Sequence, residues 1–146
     1  MTVRTEKPRT KYMIELNQTT IEQMLTSLRF NPDGLIPAIA QQYNTGEVLM
    51  MAWMNRDAVA ASLKEERVVY WSRSRQELWR KGVVSGQIQY LKEMRWDCDG
   101  DTLLLQVDQN GVACHTGQRS CFFSAVRNGE IKTISSIKIN PEKLYK

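Results

Sequence analysis

Residues 88–107 read IQYLKEMRWDCDGDTLLLQV, and this stretch predicts both the type of fold and the place of its chemistry. Up to Trp96 the apolar and polar side chains alternate, which is typical of a strand with one buried face. We expect that face to carry Ile88, Tyr90, Met94 and Trp96. An apolar run from Leu103 to Val107 predicts a second strand. Between the two strands, three aspartates and a cysteine occupy the five positions from Asp97 to Asp101.

Two helices are predicted before this stretch, and the first is amphipathic. The first is capped by Thr19 or Thr20 in a capping-box pattern, and its apolar residues recur at helical spacing: Ile21, Met24, Leu25 and Leu28. The second is capped by Asn55 and extends to about Lys64.

The rest of the pattern is typical of strands and turns. Further strands are predicted at residues 35–43, 48–53, 68–72, 112–114, 121–126 and 131–139. The first two form a hairpin, Asn110-Gly111 turns the chain back as tight hairpins do, and residues 127–130, RNGE, predict a further turn. We expect a single α+β domain over residues 1–146, built as a mostly antiparallel β-sheet folded on itself with two short helices.

Composition sets limits on the class of protein. The chain has 146 residues and a net charge of +4, which suits an anionic small molecule as well as nucleic acid. Residues 1–15 are basic and lack the apolar core of a secretory signal, so we expect a flexible arm. No apolar run approaches the roughly 20 residues of a membrane helix. Three cysteines without an export signal indicate reduced thiols, and we expect a cytoplasmic protein with no membrane partner.

The acidic cluster resembles the start of an EF-hand calcium loop, but the glycine and glutamate that such a loop requires are missing at its sixth and twelfth positions. In an extended segment Asp97, Asp99 and Asp101 share one face, with the outer two too far apart for one ion. A kink at Gly100 would draw Asp101 inward. Three convergent carboxylates would then suit Mg²⁺.

The cysteines have a different preference, because thiolates bind softer metals. Cys98, Cys114 and Cys121 are spaced C-x15-C-x6-C, which is not the spacing of a zinc finger. Three thiolates without a fourth ligand leave one position open, as in a catalytic zinc site. Three buried free cysteines are the structural alternative. His115 is the only histidine; it is a candidate general base or fourth ligand, or else a structural residue.

The segment from residue 71 to residue 82, WSRSRQELWRKG, is basic and aromatic. It interrupts the apolar pattern, so we expect a loop. Hydroxyls and cations together predict a phosphate clamp formed by Ser72, Arg73, Ser74, Arg75, Arg80 and Lys81. A solvated loop is the alternative. Trp71 and Trp79 are candidates for stacking on a base, or for the core.

These motifs resemble phosphoribosyl-AMP cyclohydrolases. The resemblance covers about residues 34–126 and rests, in order, on GLIPAIAQ, TGEVLMMAWMN, WSRSRQELWRKG, SG, DCDGDTLL and ACHTGQRSCFF. It implies hydrolysis of the N1–C6 bond of the adenine ring in 1-(5-phosphoribosyl)-AMP, a step of histidine biosynthesis. The sequence departs from the family at Gln87-Ile88-Gln89, where an Asn-Thr-Gln-like run with a polar substrate contact is expected.

The resemblance also implies a set of site residues. The metal ligands are Asp97, Asp99 and Asp101 for magnesium, and Cys98, Cys114 and Cys121, drawn from two subunits of a homodimer, for zinc. His115 is the catalytic residue. Substrate contacts are implied at Ser72, Arg73, Ser74, Arg75, Trp79, Lys81, Ser85 and Arg119. Some relatives carry a second, pyrophosphohydrolase domain; the chain after Val126 is too short for one, so we expect a monofunctional enzyme.

Two other classes of function compete with an enzyme. A non-catalytic nucleic-acid-binding module would use the basic segment and its aromatic residues, but it leaves the aspartates and cysteines unexplained. A zinc-stabilised interaction domain would use the cysteines without turnover. We therefore expect a phosphorylated nucleotide as the partner, rather than nucleic acid.

Overall fold

The computed structural model describes residues 17–144. In chain order, the elements are α1 (Gln18–Ser27), β1 (Ile36–Gln42), β2 (Val48–Met54), α2 (Arg56–Glu65), β3 (Val69–Ser72), β4 (Glu77–Arg80), β5 (Gln89–Trp96), β6 (Leu103–Gln109), β7 (Ser124–Arg127) and β8 (Glu130–Thr133). A single 3₁₀ turn follows at Pro141–Lys143. The arm predicted at residues 1–15 lies outside the described residues. Within residues 17–144 no helix has the length and apolar character needed to span a bilayer.

The strands form three sheets rather than the single sheet folded on itself that the sequence predicted. The largest has the order β2-β1-β6-β5, while β3 pairs with β4 and β7 pairs with β8. Strands β1 and β6 are parallel, and every other pairing between these strands is antiparallel. Each short pair forms a separate sheet, because its two strands have only four residues each and make their backbone hydrogen bonds with each other across their own turn. The α+β class with mostly antiparallel pairing is confirmed.

Both predicted helices form, the first at its apolar spacing and the second after its predicted cap. The residues Ile21, Met24, Leu25 and Leu28 are all buried in the core that they share with α2 and the large sheet. Asn55 caps α2 as predicted, with its Oδ1 accepting the Ala58 N–H at 2.8 Å. The predicted cap of α1 was wrong by two or three residues, since Asn17 is the cap and its side chain accepts the Thr20 N–H. The free N–H groups of a first turn bond the polar side chain that precedes them.

The buried face of β5 is not the predicted one. Gln89 is fully buried, whereas Tyr90 is 38% exposed and Trp96 is 45% exposed. A register shift between Leu91 and Glu93 marks a bulge, which disturbs the simple alternation of faces. Gln89 is stable in the interior because its amide is paired: its Oε1 accepts the Tyr70 hydroxyl at 2.8 Å, and its Nε2 donates to a glutamine on β6 at 2.9 Å.

The basic segment of residues 71–82, predicted to be a loop, contains a strand. β4 pairs with β3, so Trp79 stands opposite Tyr70 with the two ring centroids 5.5 Å apart. The next residue of β4, Arg80, forms two hydrogen bonds, at 3.0 and 2.7 Å, with the Glu65 carboxylate on α2. A strand accommodates the charged residue Arg80 here because its guanidinium is paired with a glutamate on the neighbouring helix.

Three strand predictions after β6 need correction. Residues 112–114 form no strand, and only part of the segments predicted at 121–126 and 131–139 is found, in β7 and β8. Asn110-Gly111 does not close a hairpin, because the Arg119 guanidinium binds the carbonyls of Gln109 and Gly111 at 3.0 and 2.7 Å. The turn between β7 and β8 is as predicted, with Asn128 and Gly129 both in the left-handed region.

Candidate active site

The three aspartates lie in the loop between β5 and β6, which is a tight turn rather than an extended segment. The Asp97 carbonyl accepts the Gly100 N–H at 3.0 Å, and Asp97 Oδ1 accepts the Asp101 N–H at 3.0 Å. Gly100 has φ +71°, which confirms the kink expected there. One ligand oxygen each of Asp97, Asp99 and Asp101 lies within 4.8 Å of the other two. The turn therefore converges three hard ligands on one point.

The electrostatics of this turn favour a cation. At Asp97 desolvation acts to raise the pKa, but hydrogen bonds from the Asp101 N–H and carboxyl lower it overall. The hydrogen bond to Asp97, desolvation, and the charges of Asp97 and Asp99 raise the pKa of Asp101. Carboxylates held this close together repel one another when they are ionised. A divalent cation bound between them would relieve that repulsion.

The acidic turn is anchored to the end of α1. The Gly100 carbonyl accepts the Arg29 N–H at 2.7 Å. A Cβ at Gly100 would lie 2.6 Å from the Ser27 carbonyl oxygen, so only glycine fits between the turn and the helix end. The position of the aspartates is thus fixed by backbone contacts with α1.

Two of the three cysteines lie together. The Cys114 thiol accepts the Thr116 hydroxyl at 3.0 Å and also interacts with the Cys121 thiol. Burial acts to raise the pKa of Cys114, but the hydrogen bonds from Thr116 and Cys121 and the Lys81 charge lower it overall. At Cys121, burial of the thiol and the neighbouring Cys114 sulfur raise the pKa to about 12, although the residue as a whole is exposed. Of the two thiols, Cys114 is therefore the one whose surroundings favour the thiolate.

Cys98 is separate from this pair. Among residues 17–144, the aspartates are the one group of three metal-ligating side chains within 4.8 Å of one another, so the three cysteines are not such a group. Strand register explains the separation. The loop that carries Cys98 precedes Leu103, which is level with the start of β1, whereas the Cys121 N–H bonds the Leu49 carbonyl near the end of β1. Within one chain, the predicted zinc ligands lie at opposite ends of the large sheet.

His115 follows Cys114 directly and is exposed. The segment before it is buried, since Val112, Ala113 and Cys114 are each less than a tenth exposed. The Ala113 and Cys114 N–H groups bond the carbonyls of Arg119 and Gln118. The imidazole is therefore held at the surface by a segment whose backbone is fixed, beside a candidate metal ligand.

An open groove of about 620 Å³ contains several of the predicted substrate residues. It is lined by Met51, Ala52, Trp53, Trp71, Ser72, Arg73, Ser74 and Trp79. The Arg73 guanidinium lies 5.2 Å from the Trp53 ring centroid, and the Ser72 and Ser74 hydroxyls are 3.5 Å apart. Sequence reasoning missed Trp53 and its β2 neighbours, because nothing in a strand pattern shows which edge residues will face a groove.

The other predicted basic residues do not join Arg73 in a single clamp. Arg75 lies 3.8 Å from the Glu77 carboxylate, and Arg80 is paired with Glu65. Lys81 is only 7% exposed, and its ammonium donates to the Ala113 carbonyl at 2.5 Å. Burial lowers the pKa of Lys81, while the charges of Cys121 and Cys114 act in the opposite direction. Lys81 thus belongs with the cysteines rather than with the exposed arginines.

The last two predicted substrate contacts have structural partners. The Ser85 hydroxyl accepts the Gln87 N–H at 3.3 Å. The Arg119 guanidinium makes four hydrogen bonds, to Glu47, to the Gln42 side chain and to the two carbonyls of the Asn-Gly turn described above. Gln87, which stands where the family resemblance predicts a polar substrate contact, also uses its amide inside the protein.

Comparison of the sequence with known proteins identifies the family of this chain. A sequence profile of phosphoribosyl-AMP cyclohydrolase matches residues 50–123. A phosphoribosyl-AMP cyclohydrolase of Rhodospirillum centenum is 59% identical over 130 residues, covering 89% of this chain and 98% of the relative. That of Paramagnetospirillum magneticum is 58% identical over 84% of this chain and 93% of the relative, and that of Halorhodospira halophila is 52% identical over 91% and 99%. The chain therefore belongs to the phosphoribosyl-AMP cyclohydrolase family.

Proposed function

We propose that this protein opens the adenine ring of 1-(5-phosphoribosyl)-AMP by hydrolysing its N1–C6 bond, giving the formimino-aminoimidazole carboxamide ribotide intermediate of histidine biosynthesis. The observation that carries the proposal is the extent of the family match. Residues 50–123 contain the groove, the acidic turn, both members of the cysteine pair and His115. The family match therefore supports both the proposed reaction and the proposed site residues.

The groove suits the substrate's chemistry. A planar base stacks on indole rings, and Trp53, Trp71 and Trp79 all line the groove. The substrate also carries two phosphate groups, for which Ser72, Ser74 and Arg73 supply hydroxyl and guanidinium donors in the same groove. Arg75, exposed beside them, adds positive charge.

The donor sets fit two different metals. The converged carboxylates of Asp97, Asp99 and Asp101 suit Mg²⁺, which takes oxygen ligands, and a cation there would remove their repulsion for a phosphorylated substrate. The thiols of Cys114 and Cys121 suit zinc, as a pair that needs at least one further ligand. Zinc, when bound, would act as a Lewis acid that lowers the pKa of water to about 7.

In the proposed reaction, the oxygen of one water molecule bonds to C6 while the N1–C6 bond breaks. His115 takes one proton from this water and returns it to N1, while the second water proton passes to the exocyclic nitrogen on C6, so that C6 becomes the carboxamide carbon and the histidine is regenerated. The exposure of His115 and its position next to Cys114 support this role. A role as a metal ligand is the alternative.

We further propose that two chains share each site in a cytoplasmic homodimer. Cys98 lies apart from Cys114 and Cys121 within one chain, so in this proposal the third zinc ligand is Cys98 of a second copy. In a two-fold dimer the same exchange occurs twice and gives two equivalent sites. The exposed position of Cys98 leaves it accessible to the partner.

A ring-opening assay followed by absorbance, together with metal analysis of the purified protein, tests the proposed function. We expect turnover of 1-(5-phosphoribosyl)-AMP and bound zinc, both lost in Cys114→Ala. Ser120→Ala, which changes a neighbouring residue that bonds the Val48 carbonyl, is the control and should keep both. Zinc without turnover would instead support an interaction domain, and binding of single-stranded nucleic acid without turnover would support a nucleic-acid-binding module.

A further inference from the structure

Two loops around the candidate site are joined into one unit. The loop of residues 81–88 and the segment of residues 109–113 exchange backbone and side-chain hydrogen bonds. The Asn110 N–H bonds the Ile88 carbonyl at 2.8 Å, and its side-chain amide bonds the Gly86 carbonyl at 2.8 Å. Lys81 binds the Ala113 carbonyl from the other end of the first loop.

Gln87 lies at the centre of this unit. Its Oε1 accepts the Val112 N–H at 2.9 Å, and its Nε2 donates to the Ser85 carbonyl at 3.0 Å. Its own carbonyl accepts the Gln109 amide at 3.1 Å. The side chain fills the space beside Gly111, where an added Cβ would lie 1.7 Å from Gln87 Oε1. Gln87 thus bonds its own loop and the facing segment at once.

Val112 is the link to the reacting groups, because Cys114 and His115 lie two and three residues after it along the chain. Val112 is buried, so its N–H has no access to water as a substitute partner for Gln87. We propose that Gln87 is a positioning residue, which latches the loop of residues 81–88 to residues 109–113 and thereby fixes Cys114 and His115. The kinetic part of this inference rests on the proposed function, whereas the structural part does not.

Gln87→Met tests the latch, because methionine has a similar length and lacks both hydrogen bonds. Gln87→Glu keeps the acceptor for the Val112 N–H. Gln106→Met is the matched control: Gln106 is a buried glutamine of β6 whose amide binds the Gln41 side chain at 2.7 Å, away from the two loops. The readouts are hydrogen exchange of the amides at residues 112–114, and kcat and KM for ring opening.

We expect at least tenfold faster exchange at residues 112–114 in Gln87→Met, near-normal exchange there in Gln106→Met, and recovery in Gln87→Glu. Misplaced catalytic groups lower turnover more than binding, so kcat should fall about 10- to 100-fold in Gln87→Met with KM changed less than about threefold. The glutamate variant should recover most of kcat.

Equal exchange and equal kcat in the two methionine variants would overturn the latch. A wild-type protein without ring-opening activity would refute the proposed function, yet the exchange comparison would still decide the inference. Should Gln87→Met not fold, Gln87→Glu answers the same question. In Gln87→Glu, the latch requires that the Val112 amide stays protected from hydrogen exchange and that the amides of residues 85–88 exchange faster. Loss of protection at Val112 would overturn the proposal.

Discussion

At the scale of single residues, burial decides what a charged side chain does. The Lys81 ammonium lies 5.3 Å from the Trp79 ring centroid and binds a buried carbonyl, although its sequence neighbours Arg75 and Arg80 have side chains open to solvent. Its position beside Cys114 and Cys121 balances their negative charge when the thiols ionise. A basic stretch in a sequence therefore contains residues with different partners and different roles.

His115→Ala is expected to lower kcat by about 10²- to 10⁴-fold and to leave zinc content unchanged, because a general base contributes to proton transfer and not to metal binding. The measurements are steady-state ring opening and metal analysis on the same preparation. Loss of zinc along with the rate would identify His115 as a ligand, and a rate within threefold of wild type would remove it from the mechanism.

Gly100→Ala is expected to destabilise the protein by about 2 kcal/mol or more. A left-handed backbone costs alanine about 1–2 kcal/mol, and the new Cβ would also press on the Ser27 carbonyl. Gly34→Ala is the control, since Gly34 has φ +77° and open space where the Cβ would be. Urea unfolding should show the larger loss at Gly100, and Mg²⁺ titration should show weaker binding only there. Equal losses at the two glycines would contradict the contact with α1.

At the scale of secondary-structure elements, one ion pair connects α2 to the short sheet of β3 and β4. The Arg80 hydrogen bond is the main cause of a lowered pKa at Glu65, with its charge and that of Arg67 adding to the effect. This pair holds β4 against the helix while Trp79, one residue earlier, faces the groove. The contact thus stabilises one wall of the candidate site.

The pair predicts a specific dependence of stability on pH. Because the Glu65 pKa is lower in the folded protein, its contribution is present above the unfolded pKa of about 4.3 and is lost as pH falls through the folded pKa. Glu65→Gln should therefore cost up to about 1 kcal/mol at pH 6, the usual limit for a surface pair, and less near pH 3. Urea midpoints of wild type and variant at both pH values give the comparison.

Arg80→Gln supplies the check on this interpretation. In that background Glu65→Gln should have a much smaller effect on stability at pH 6, because the main partner that lowers the pKa is missing and only the Arg67 charge remains. A pH-dependent loss that persists undiminished without Arg80 would assign the effect to another group.

At the scale of the whole molecule, the described chain has surfaces that suit association. Val126 in β7 and Ile131 in β8 are 76% and 85% exposed, and Ile137 after them is 58% exposed. Apolar side chains exposed side by side on a small hairpin favour burial against a partner. Together with the separation of Cys98 from the cysteine pair, this exposure supports the shared site of the proposed homodimer.

Mixing two inactive variants tests the shared site. In a mixed dimer of Cys98→Ala and Cys114→Ala, both defects fall in one site and the other site is intact. Random exchange gives half mixed dimers with one good site each, so about a quarter of wild-type activity should return. Mass spectrometry would confirm that subunits have exchanged. If exchange occurs and the mixture stays inactive, each site is built from one chain.

The sequence by itself determined the features that depend on neighbours along the chain. Helical spacing placed the first helix, the Asn55 cap placed the second, and glycine-containing turns placed the hairpins β1–β2 and β7–β8. The glycine within the acidic cluster indicated the kink that converges the three aspartates. These predictions succeed because caps, turns and amphipathic periods act over a few residues.

Only the tertiary structure decided the features that depend on distant partners. Gln89 is buried because Tyr70 and Gln109 satisfy its amide, and residues 112–114 form a loop because Gln87 and Arg119 bind that region from both sides. The parallel pairing of β1 with β6 likewise sets the two halves of the predicted zinc site at opposite ends of the sheet. No local pattern encodes which remote group will satisfy a buried polar atom, because that free energy appears only when the chain has folded.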